Sequence, residues 1–425
     1  MEDKNIKTYD VIVIGGGASG MMSAIVASER GASVLILEKN KRLGEKLRIT
    51  GGGRCNILNA EFNLRTLLKN FGTSEQYLYS SYSKFGVQNT IDFFEDLNVP
   101  ITVQANNRAF PATEKAVDVV HAMVNRLDKN GVTIIKNSPV TKINVVDSNI
   151  FSLKCGDKSF KAEKYILAVG GSSRPETGSS GDGFEWLRGL GHTVKTPSPN
   201  ITPLGVTEKW VKTVSGVVLK GVSISFFVDS KRRLKLNGDV LFTHFGISGP
   251  LILNNAYKVA DLLQEGTVVA QIDCFPDLNE KELDLKIVEI LNQNGAKQLK
   301  NVLNHFTPAG FSPVLRELLS VQVDFDTKTS EVNKQSRTLI VNNLKHLSLT
   351  VEKLMGFERA VVADGGVDLK EVDTRTMRSL KLDNLYITGD LLDINRPSGG
   401  FSLQLCWTTG YLAGASAVDS LKPKK

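Results

Sequence analysis

The chain opens on a strand that runs directly into a glycine-rich turn. Residues 9–14 are β-branched and apolar, as is typical of a strand buried in a parallel sheet. Gly15, Gly17 and Gly20 follow in the spacing G-x-G-x-x-G. In such a turn the first glycine allows a tight bend, the second lets the backbone approach a pyrophosphate, and the third lets the helix pack on the strand. The stretch therefore predicts a Rossmann-like α/β fold that binds a dinucleotide.

A helix and a second strand complete this unit. The helix is predicted over residues 18–29, so that its first N–H groups and the positive end of its dipole face the phosphate position. Residues 33–37 form the next buried strand, and Glu38 ends it. An acid at this position can accept hydrogen bonds from the adenosine ribose hydroxyls. It would repel a 2′-phosphate, so the pattern disfavours a 2′-phosphorylated ligand here.

Length and composition place the chain among ordinary globular proteins. Its 425 residues suggest about two or three domains. We find no apolar run of the ~18 residues that a membrane helix needs, and the polar N-terminus does not resemble a signal peptide. We therefore expect a cytoplasmic protein without membrane contact. The net charge of +7 is compatible with nucleic-acid binding but equally with an anionic cofactor.

The cysteines favour neither a disulfide framework nor a metal site. The four are widely spaced and form no C-x-x-C pair, namely Cys55, Cys155, Cys274 and Cys406. A flavin disulfide reductase would need a second thiol close to the first. We therefore interpret Cys55 as a packed residue, Cys406 as a core residue, and the chain as free of a protein-bound metal.

A second glycine cluster follows the first strand pair closely. The segment RITGGGRCN, residues 48–56, suits a loop folded over the same ligand. Basic residues gather just before and within it, among them Lys39, Lys46 and Arg54. Arg54 is the preferred candidate to neutralise a pyrophosphate, and a surface salt bridge is its alternative role.

The C-terminal region contains a second junction between a strand and a helix. Residues 385–388 are predicted to form a short buried strand, followed by Gly389 and Asp390, and a small-residue helix begins after Gly400. Asp390 can bond ribityl or ribose hydroxyls. The helix N-terminus can stabilise negative charge on the pyrimidine side of a reduced flavin. A cofactor held by both ends of the chain is more typical of flavins than of nicotinamides.

Several segments, in order along nearly the whole chain, resemble one bacterial flavoprotein family. They are VIVIGGGASG, TGGGRCN, AVGGSSRPETGSSGDGF, LFTHFGISGP, GGVDLKEVDTRTM and ITGDLLDINRPSGGFSLQLCWTTGYLAG. The family is that of the BaiN-like or aminoacetone-oxidase-like NAD(P)/FAD-dependent oxidoreductases. The resemblance implies an FAD domain of the two-dinucleotide-binding-domain type, interrupted by an insert. Asp390 stands where family members usually carry Glu, and Asn395-Arg396-Pro397 also departs from the family pattern.

The domain organisation follows from this resemblance and from changes in residue composition and predicted secondary structure along the chain. We place the FAD-binding domain at 1–194 and 346–425, with a β-rich, barrel-like insert at 195–345. The proline-rich stretch 196–205 is typical of a domain boundary. Within the insert, Asn237-Gly238 predicts a hairpin turn, and about 279–321 contains a small helical part.

These motifs and the resemblance together define the predicted FAD contacts. The predicted contacts are Gly15, Gly16, Gly17, Ala18, Ser19, Gly20, Glu38, Lys39, Lys46, Thr50, Gly51, Gly52, Gly53, Arg54, Cys55, Asn56, Val140, Gly170, Gly171, Gly389, Asp390, Gly399, Gly400 and Phe401.

The chemistry is less well constrained than the cofactor. His244, between aromatic residues, is the candidate proton donor or acceptor, with a structural histidine as the alternative. Arg108 and Arg396 are candidates to bind an anionic substrate group. The chain has no second G-x-G-x-x-G, so an NAD(P)H donor, if used, would dock transiently.

Two classes of function remain open at this point. The main hypothesis is hydride transfer between flavin N5 and a small organic substrate, either amine oxidation or C=C reduction. The alternative is a basic flavoprotein that binds or modifies RNA. The basic residues are not interleaved with aromatics as stacking platforms require, so a nucleic-acid partner is disfavoured. The sequence does not indicate an oligomeric state.

Overall fold

The structure, a computed structural model, describes residues 7–421. Within these residues the chain forms two compact units. The first contains the chain up to Pro199 and again from Val361 onward, and the second runs from Asn200 to Ala360. The predicted domain limits at residues 1 and 425 lie outside the described residues.

The first unit is an α/β arrangement whose elements up to Pro199 are ten strands and seven helices. The strands are β1 Lys7–Ile14, β2 Val34–Leu37, β3 Leu58–Asn59, β4 Ile101–Gln104, β5 Arg108–Pro111, β6 Thr133–Ile135, β7 Lys142–Val146, β8 Asn149–Cys155, β9 Lys158–Leu167 and β10 Val194–Pro199. The helices are α1 Ala18–Glu29, α2 Glu45–Ile49, α3 Leu64–Leu68, α4 Glu75–Lys84, α5 Val87–Asp96, α6 Ala116–Lys129 and α7 Asp182–Gly189.

The second unit is a closed, antiparallel six-stranded barrel with five helices. Its strands are β11 Leu204–Val206, β12 Val218–Val228, β13 Lys231–Thr243, β14 Gly246–Ser248, β15 Val268–Asp273 and β16 Leu347–Leu354. Its helices are α8 Pro250–Leu253, α9 Ala256–Glu265, α10 Glu280–Gln293, α11 Ser312–Leu319 and α12 Lys334–Lys345. The strand order around the barrel is β11-β14-β13-β12-β15-β16.

Two expectations for the insert differ from the structure. The strand β16 pairs with both β11 and β15 and so closes the barrel, which is why the second unit continues past the predicted limit at 345. The predicted turn at Asn237-Gly238 is wrong, because both residues lie within β13 and pair with β12. The hairpin turns instead at Asp229 and Ser230, which adopt positive φ angles.

The chain then returns to the first unit with four strands and one long helix. These elements are β17 Ala363–Val367, β18 Val372–Asp373, β19 Arg378–Ser379, β20 Leu385–Ile387 and α13 Phe401–Asp419. The main sheet has the order β18-β19-β20-β9-β1-β2-β6, and β8 with β7 extends from β9. The separate strand β10 pairs with β17, which keeps residues 194–199 in the first unit.

The register of the main sheet creates the edge where a ligand can bind. The strands β20, β9, β1, β2 and β6 run parallel to one another. Ile14 lies opposite both Leu37 and Leu167, and Leu167 lies opposite Ile387. Four strands therefore end together at one edge, and ligands of open α/β sheets bind outside the carboxyl ends of the strands.

Helices α1 and α13 pack on each other unusually closely beside this sheet. A Cβ atom on Gly410 would lie 2.6 Å from the carbonyl oxygen of Ser19, and one on Gly414 would collide with the carbonyl of Ser23. Both ends of the chain thus contribute to one core. The predicted fold class, a Rossmann-like unit interrupted by a β-rich insert with helices, is confirmed. Among residues 7–421, no helix combines the length and apolarity needed to cross a membrane.

Candidate functional site

A long cleft opens at the carboxyl edge of the main sheet in the first unit. Its empty volume, including the open mouth, is about 1160 Å³. Of the predicted FAD contacts, those that line the cleft are Gly15, Gly17, Ala18, Ser19, Glu38, Lys39, Lys46, Thr50, Val140, Gly170 and Asp390. Residues separated by several hundred positions in sequence therefore share one wall.

The glycine turn forms a cradle at the start of α1. Gly15 has a φ of +100°, and a Cβ there would lie 2.6 Å from the carbonyl oxygen of Ala168. Gly20 packs against the carbonyl of Gly15, so neither position has room for a side chain. A Cβ on Gly17, in contrast, would meet no atom within 4 Å. The backbone at Gly17 thus faces open space beside the first N–H groups of α1, as a bound pyrophosphate requires.

Glu38 follows β2 directly, and its side chain holds the backbone of the glycine turn by hydrogen bonds. Its side chain accepts hydrogen bonds from the backbone N–H groups of Gly16 and Asn40, each at 2.7 Å. The residue is buried and also lines the cleft. The carboxylate is therefore fixed next to the glycine turn on the wall of the cleft.

A loop around residues 177–182, for which the sequence predicted no role, lines one side of the cleft. Thr177, Gly178 and Ser179 line it, as does Asp182 at the start of α7. The Lys39 ammonium group donates to Asp182 at 2.9 Å and to Ser180 at 2.5 Å. The sequence signal for it was the glycine- and serine-rich segment after β9, in which only Gly170 and Gly171 were predicted to contact the cofactor.

Three charged side chains form what we call the cleft cluster: Lys46, Asp390 and Arg396. The ammonium group of Lys46 donates to the Asp390 carboxylate at 3.0 Å and to the Ser173 hydroxyl at 2.6 Å. Arg396 forms a close ion pair with the other Asp390 oxygen. Burial alone would raise the pKa of Asp390, but the charges and hydrogen bonds of Lys46 and Arg396 outweigh it and lower the pKa to about 2. The cluster therefore carries two positive charges and one negative charge.

The N-terminus of α13 completes this end of the cleft. Ser402, Leu403 and Cys406 line the wall beside Asp390. Cys406 therefore borders the cleft, whereas the sequence favoured a core residue, although burial raises the pKa of its thiol to about 12. The helix is apolar all round, so its sequence did not show which side faced the cleft.

The second glycine loop lies beside the cleft wall and does not line it beyond Thr50. Gly51 and Gly52 are exposed in left-handed conformations, and Gly53 and Asn56 follow in the same loop. Cys55 is fully buried, and burial raises the pKa of its thiol to about 12.

Arg54 makes its contacts within the chain outside the lining of the cleft. Its guanidinium pairs with Glu114, donates to Gln104 at 2.7 Å and lies 4.2 Å from the centre of the Phe110 ring. All these partners lie on or beside the small sheet β3-β5-β4. Arg54 therefore forms the salt bridge that was its alternative role, and a contact with a pyrophosphate stays a prediction.

Other predicted contacts shape the backbone around the cleft rather than forming its surface. Gly16 packs against Leu43, Gly171 against Asp390, and Gly389 donates its N–H to Thr409 at 3.0 Å. Gly400 is pressed against the backbone of Leu58, the Gly399 carbonyl accepts from Asn59 at 3.1 Å, and Phe401 is buried edge-on against Phe71. Gly20 belongs to the same group.

The candidates for chemistry occupy different environments. His244 is exposed in the turn between β13 and β14 of the second unit, with its ring edge-on to Phe245. Arg108 donates to the backbone of Ala105. Arg396 is buried and bonded within the chain, so it does not present a free guanidinium to a substrate. Within the part of the chain that the structure describes, no His, Cys, Asp and Glu side chains gather as a metal site would need.

Comparison with known proteins identifies the family. The family model described as "HI0933-like protein Rossmann domain" matches residues 9–416. The chain belongs to this family. The match covers both units and both parts of the α/β unit, so it agrees with the fold described above.

Relatives and solved structures extend this finding. The chain is 29% identical to a 3-dehydro-bile acid delta(4,6)-reductase of Clostridium scindens, over 96% of this chain and 98% of the relative. It is 26% identical to a ribosomal RNA dihydrouridine synthase of Escherichia coli, over 99% of this chain and 100% of the relative. The structure of a 3-ketosteroid-delta4-(5alpha)-dehydrogenase from Rhodococcus jostii has the same fold, with a TM-score of 0.56, 14% identity and 98% of each chain covered. The chain is an FAD-dependent oxidoreductase.

Proposed function

With membership of this flavoprotein family as the premise, we propose that FAD lies along the cleft of the first unit. Its adenosine is bound at Glu38, its pyrophosphate at the turn around Gly17, and its flavin ring towards Asp390 and the start of α13. Three observations support this order: the open backbone at Gly17, the fixed carboxylate of Glu38, and the cationic cluster at the other end of the cleft. The remaining predicted contacts, including the exposed glycine loop, stay predictions.

One substitution tests this placement of the pyrophosphate. Gly17 has a φ of −78°, and its missing Cβ has free space, so Gly17→Asp should fold while placing a carboxylate at the phosphate position. We expect the variant to lose FAD affinity by at least about tenfold, since two negative groups would meet. Gly189→Asp is the matched control, because Gly189 is also open but lies at the exposed end of α7. Unchanged FAD affinity in Gly17→Asp would contradict the proposed placement.

We propose further that the enzyme reduces a C=C bond that is conjugated to a carbonyl group. The observation that carries this proposal is the pair of relatives matched from end to end. One is named for reducing delta(4,6) bonds of a 3-dehydro-bile acid and the other for making dihydrouridine. Both products contain a saturated bond next to a carbonyl. When bound, FAD would supply the hydride for such a step.

Electrons would come from NAD(P)H that docks transiently, since the chain carries one nucleotide fingerprint and FAD occupies it in this proposal.

The test is to add NADH or NADPH to the flavin-loaded protein without oxygen and to follow loss of the yellow colour. A 3-oxo-4,6-diene steroid is then added, and the product is analysed by mass spectrometry for two added hydrogens. Oxygen consumption with an amine, in the absence of nicotinamide, would instead favour an amine oxidase.

An RNA substrate is the second candidate, and one structural feature favours it besides the named relative. Exposed cations follow the β12–β13 hairpin of the second unit, among them Lys220, Lys231, Arg232 and Lys235. Such groups can neutralise RNA phosphates in a salt-dependent way. Incubation with ribosomal RNA and NADPH, followed by nucleoside mass spectrometry, separates the two candidate substrates. Formation of dihydrouridine favours an RNA substrate, and its absence together with reduction of the steroid favours a small-molecule substrate.

A cytoplasmic location stays a prediction.

A further inference from the structure

Arg396 is an arginine buried beside the cleft, with its side chain only 1% exposed. Its guanidinium donates to the Ile394 carbonyl at 2.7 Å and to the Ser402 hydroxyl at 3.1 Å, and it pairs closely with Asp390. Removing a cation from water is costly, and pairing only partly offsets that cost. A hydrophobic residue of similar size would often be as stable there, so the arginine suggests a role beyond packing.

The cleft cluster has an excess of positive charge beside the cleft, because Lys46 and Asp390 line the wall and the buried Arg396 adds a second cation next to Asp390. Lys46 and Arg396 are cations, and Asp390 is the one anion that both contact. The other acid near Lys46 on this wall, Glu45, is paired with Arg42 outside the cluster. Lys39 is compensated by Asp182. The cluster therefore presents one uncompensated positive charge at this end of the cleft.

Arg396 also connects the cleft cluster to the N-terminus of α13, the positive end of that helix dipole. Ser402 lies in the first turn of α13, and Ser402, Leu403 and Cys406 line the cleft. The bond from Arg396 to Ser402 fixes the start of α13 relative to Asp390. The N-terminus of a helix and a nearby cation both stabilise a negative group that lies close to them.

We propose that Arg396 is a positioning residue that raises the reduction potential of FAD bound in the cleft. This inference rests on the placement of FAD proposed above. Two-electron reduction with uptake of one proton leaves the flavin ring with one more negative charge than the oxidised form. The excess charge of the cleft cluster, held against the start of α13 by Arg396, stabilises that reduced form more than the oxidised form.

The test compares the midpoint potential of bound FAD in the full-length protein and in Arg396→Met. Asp390 keeps Lys46 as its partner in this variant, so its carboxylate is not left unpaired. We expect reduced FAD to bind about tenfold more weakly while oxidised FAD binds nearly as before. For a two-electron couple, a tenfold change corresponds to a potential lower by about 30 mV. Arg396→Lys, which keeps the charge, should restore most of the potential.

Arg126→Met is the matched control, because Arg126 also pairs with acids, Glu29 and Asp96, and does not line the cleft, so its removal should leave the potential unchanged. If Arg396→Met does not fold, Lys46→Met removes the other cation of the cluster and should also lower the potential. A flavin-loaded variant, Arg396→Met or Lys46→Met, with an unchanged potential overturns this inference while leaving the proposed cofactor placement intact. A wild-type protein that binds no FAD overturns both.

Discussion

Two networks of polar side chains in the first unit, each with a fully or almost fully buried member, differ in what surrounds them. In the first, the cleft cluster, Lys46 and Asp390 line the cleft and the buried Arg396 pairs with Asp390. The second, which we call the His192 network, joins His192, Glu371 and Ser379. The His192 ring contacts Glu371 at 3.0 Å and Ser379 at 2.9 Å, an order that resembles a hydrolase triad.

The difference between the networks is the space around them. The Ser379 hydroxyl is buried and already accepts backbone N–H bonds from Lys381 and Leu382, each at 3.0 Å. Glu371 is held by Lys381 as well, and no residue of the His192 network lines the cleft. A triad-like order without room for a substrate is therefore structural. The cleft cluster borders open space, and this makes it the candidate for function.

Breaking the cleft cluster should have the largest effect. Asp390→Ala leaves the buried Arg396 without a carboxylate, and an uncompensated buried charge typically costs about 3–5 kcal/mol. We expect a loss of that size in the free energy of unfolding, measured by urea denaturation of flavin-free protein, together with loss of FAD from the purified protein. A loss below about 1 kcal/mol would show that Arg396 reaches water and that the cluster is not truly buried.

Breaking the His192 network should affect stability alone. His192→Ala removes two hydrogen bonds of a fully buried ring, but Glu371 keeps Lys381 and Thr193 as partners. We expect a loss of about 1–3 kcal/mol in the free energy of unfolding, with unchanged FAD content. If His192→Ala lost FAD while keeping its stability, the network would belong to the cofactor site and the comparison would fail.

The sequence predicted the parts of the site that local pattern determines. The strand, the glycine turn and Glu38 lie close together in sequence, and each has a backbone or hydrogen-bonding requirement that restricts the residue type. The ion-pair partners of Arg54 and Arg396 could not be predicted from local sequence pattern. Arg54 pairs with Glu114 across a small sheet, and Arg396 folds back on Asp390. Which partner each guanidinium meets depends on tertiary contacts, which a single sequence does not show.

The same limit explains the other misses. The strand at 347–354 closes a barrel with β11, which lies far away in sequence. The sequence of this strand therefore did not show that the second unit continues past residue 345. The loop at 177–182 has no apolar periodicity and is held over the cleft by Lys39 and Asn40. Asn237-Gly238 resembles a turn, but pairing with β12 extends the strand through it. Tertiary pairing outweighed local preference in these places.

Acid should weaken both networks, but the His192 network first. Burial lowers the pKa of His192, so the folded state favours the neutral ring. Its contribution is fully present above about pH 6.5 and is lost as the pH falls below that value. Glu371 and Asp390, each with a pKa of about 2, contribute above about pH 4.5 and lose that contribution as the pH falls towards 2.

Thermal unfolding as a function of pH in wild type and His192→Gln separates the two steps. The difference in melting temperature between the proteins should narrow from pH 7 to pH 5, because the variant lacks the histidine titration. A constant difference over this range would mean that His192 does not titrate with folding. Below about pH 4.5 both proteins should lose stability together, since both keep the two acids.

The smallest effect should come from the other lysine of the cleft. Lys39 pairs with Asp182 at 2.9 Å, but the two side chains are 30% and 46% exposed, whereas those of Lys46 and Asp390 are 24% and 15% exposed. Exposed ion pairs contribute about 0.2–1 kcal/mol and are screened by salt. We therefore expect Lys39→Met to lower the free energy of unfolding by less than about 1 kcal/mol, and by less again in high salt. Lys46→Met should lower the free energy of unfolding by more and depend less on salt, because the Lys46–Asp390 pair is less exposed to solvent than the Lys39–Asp182 pair. Equal losses in the two variants would show that burial is not what distinguishes the cleft cluster from an ordinary surface ion pair.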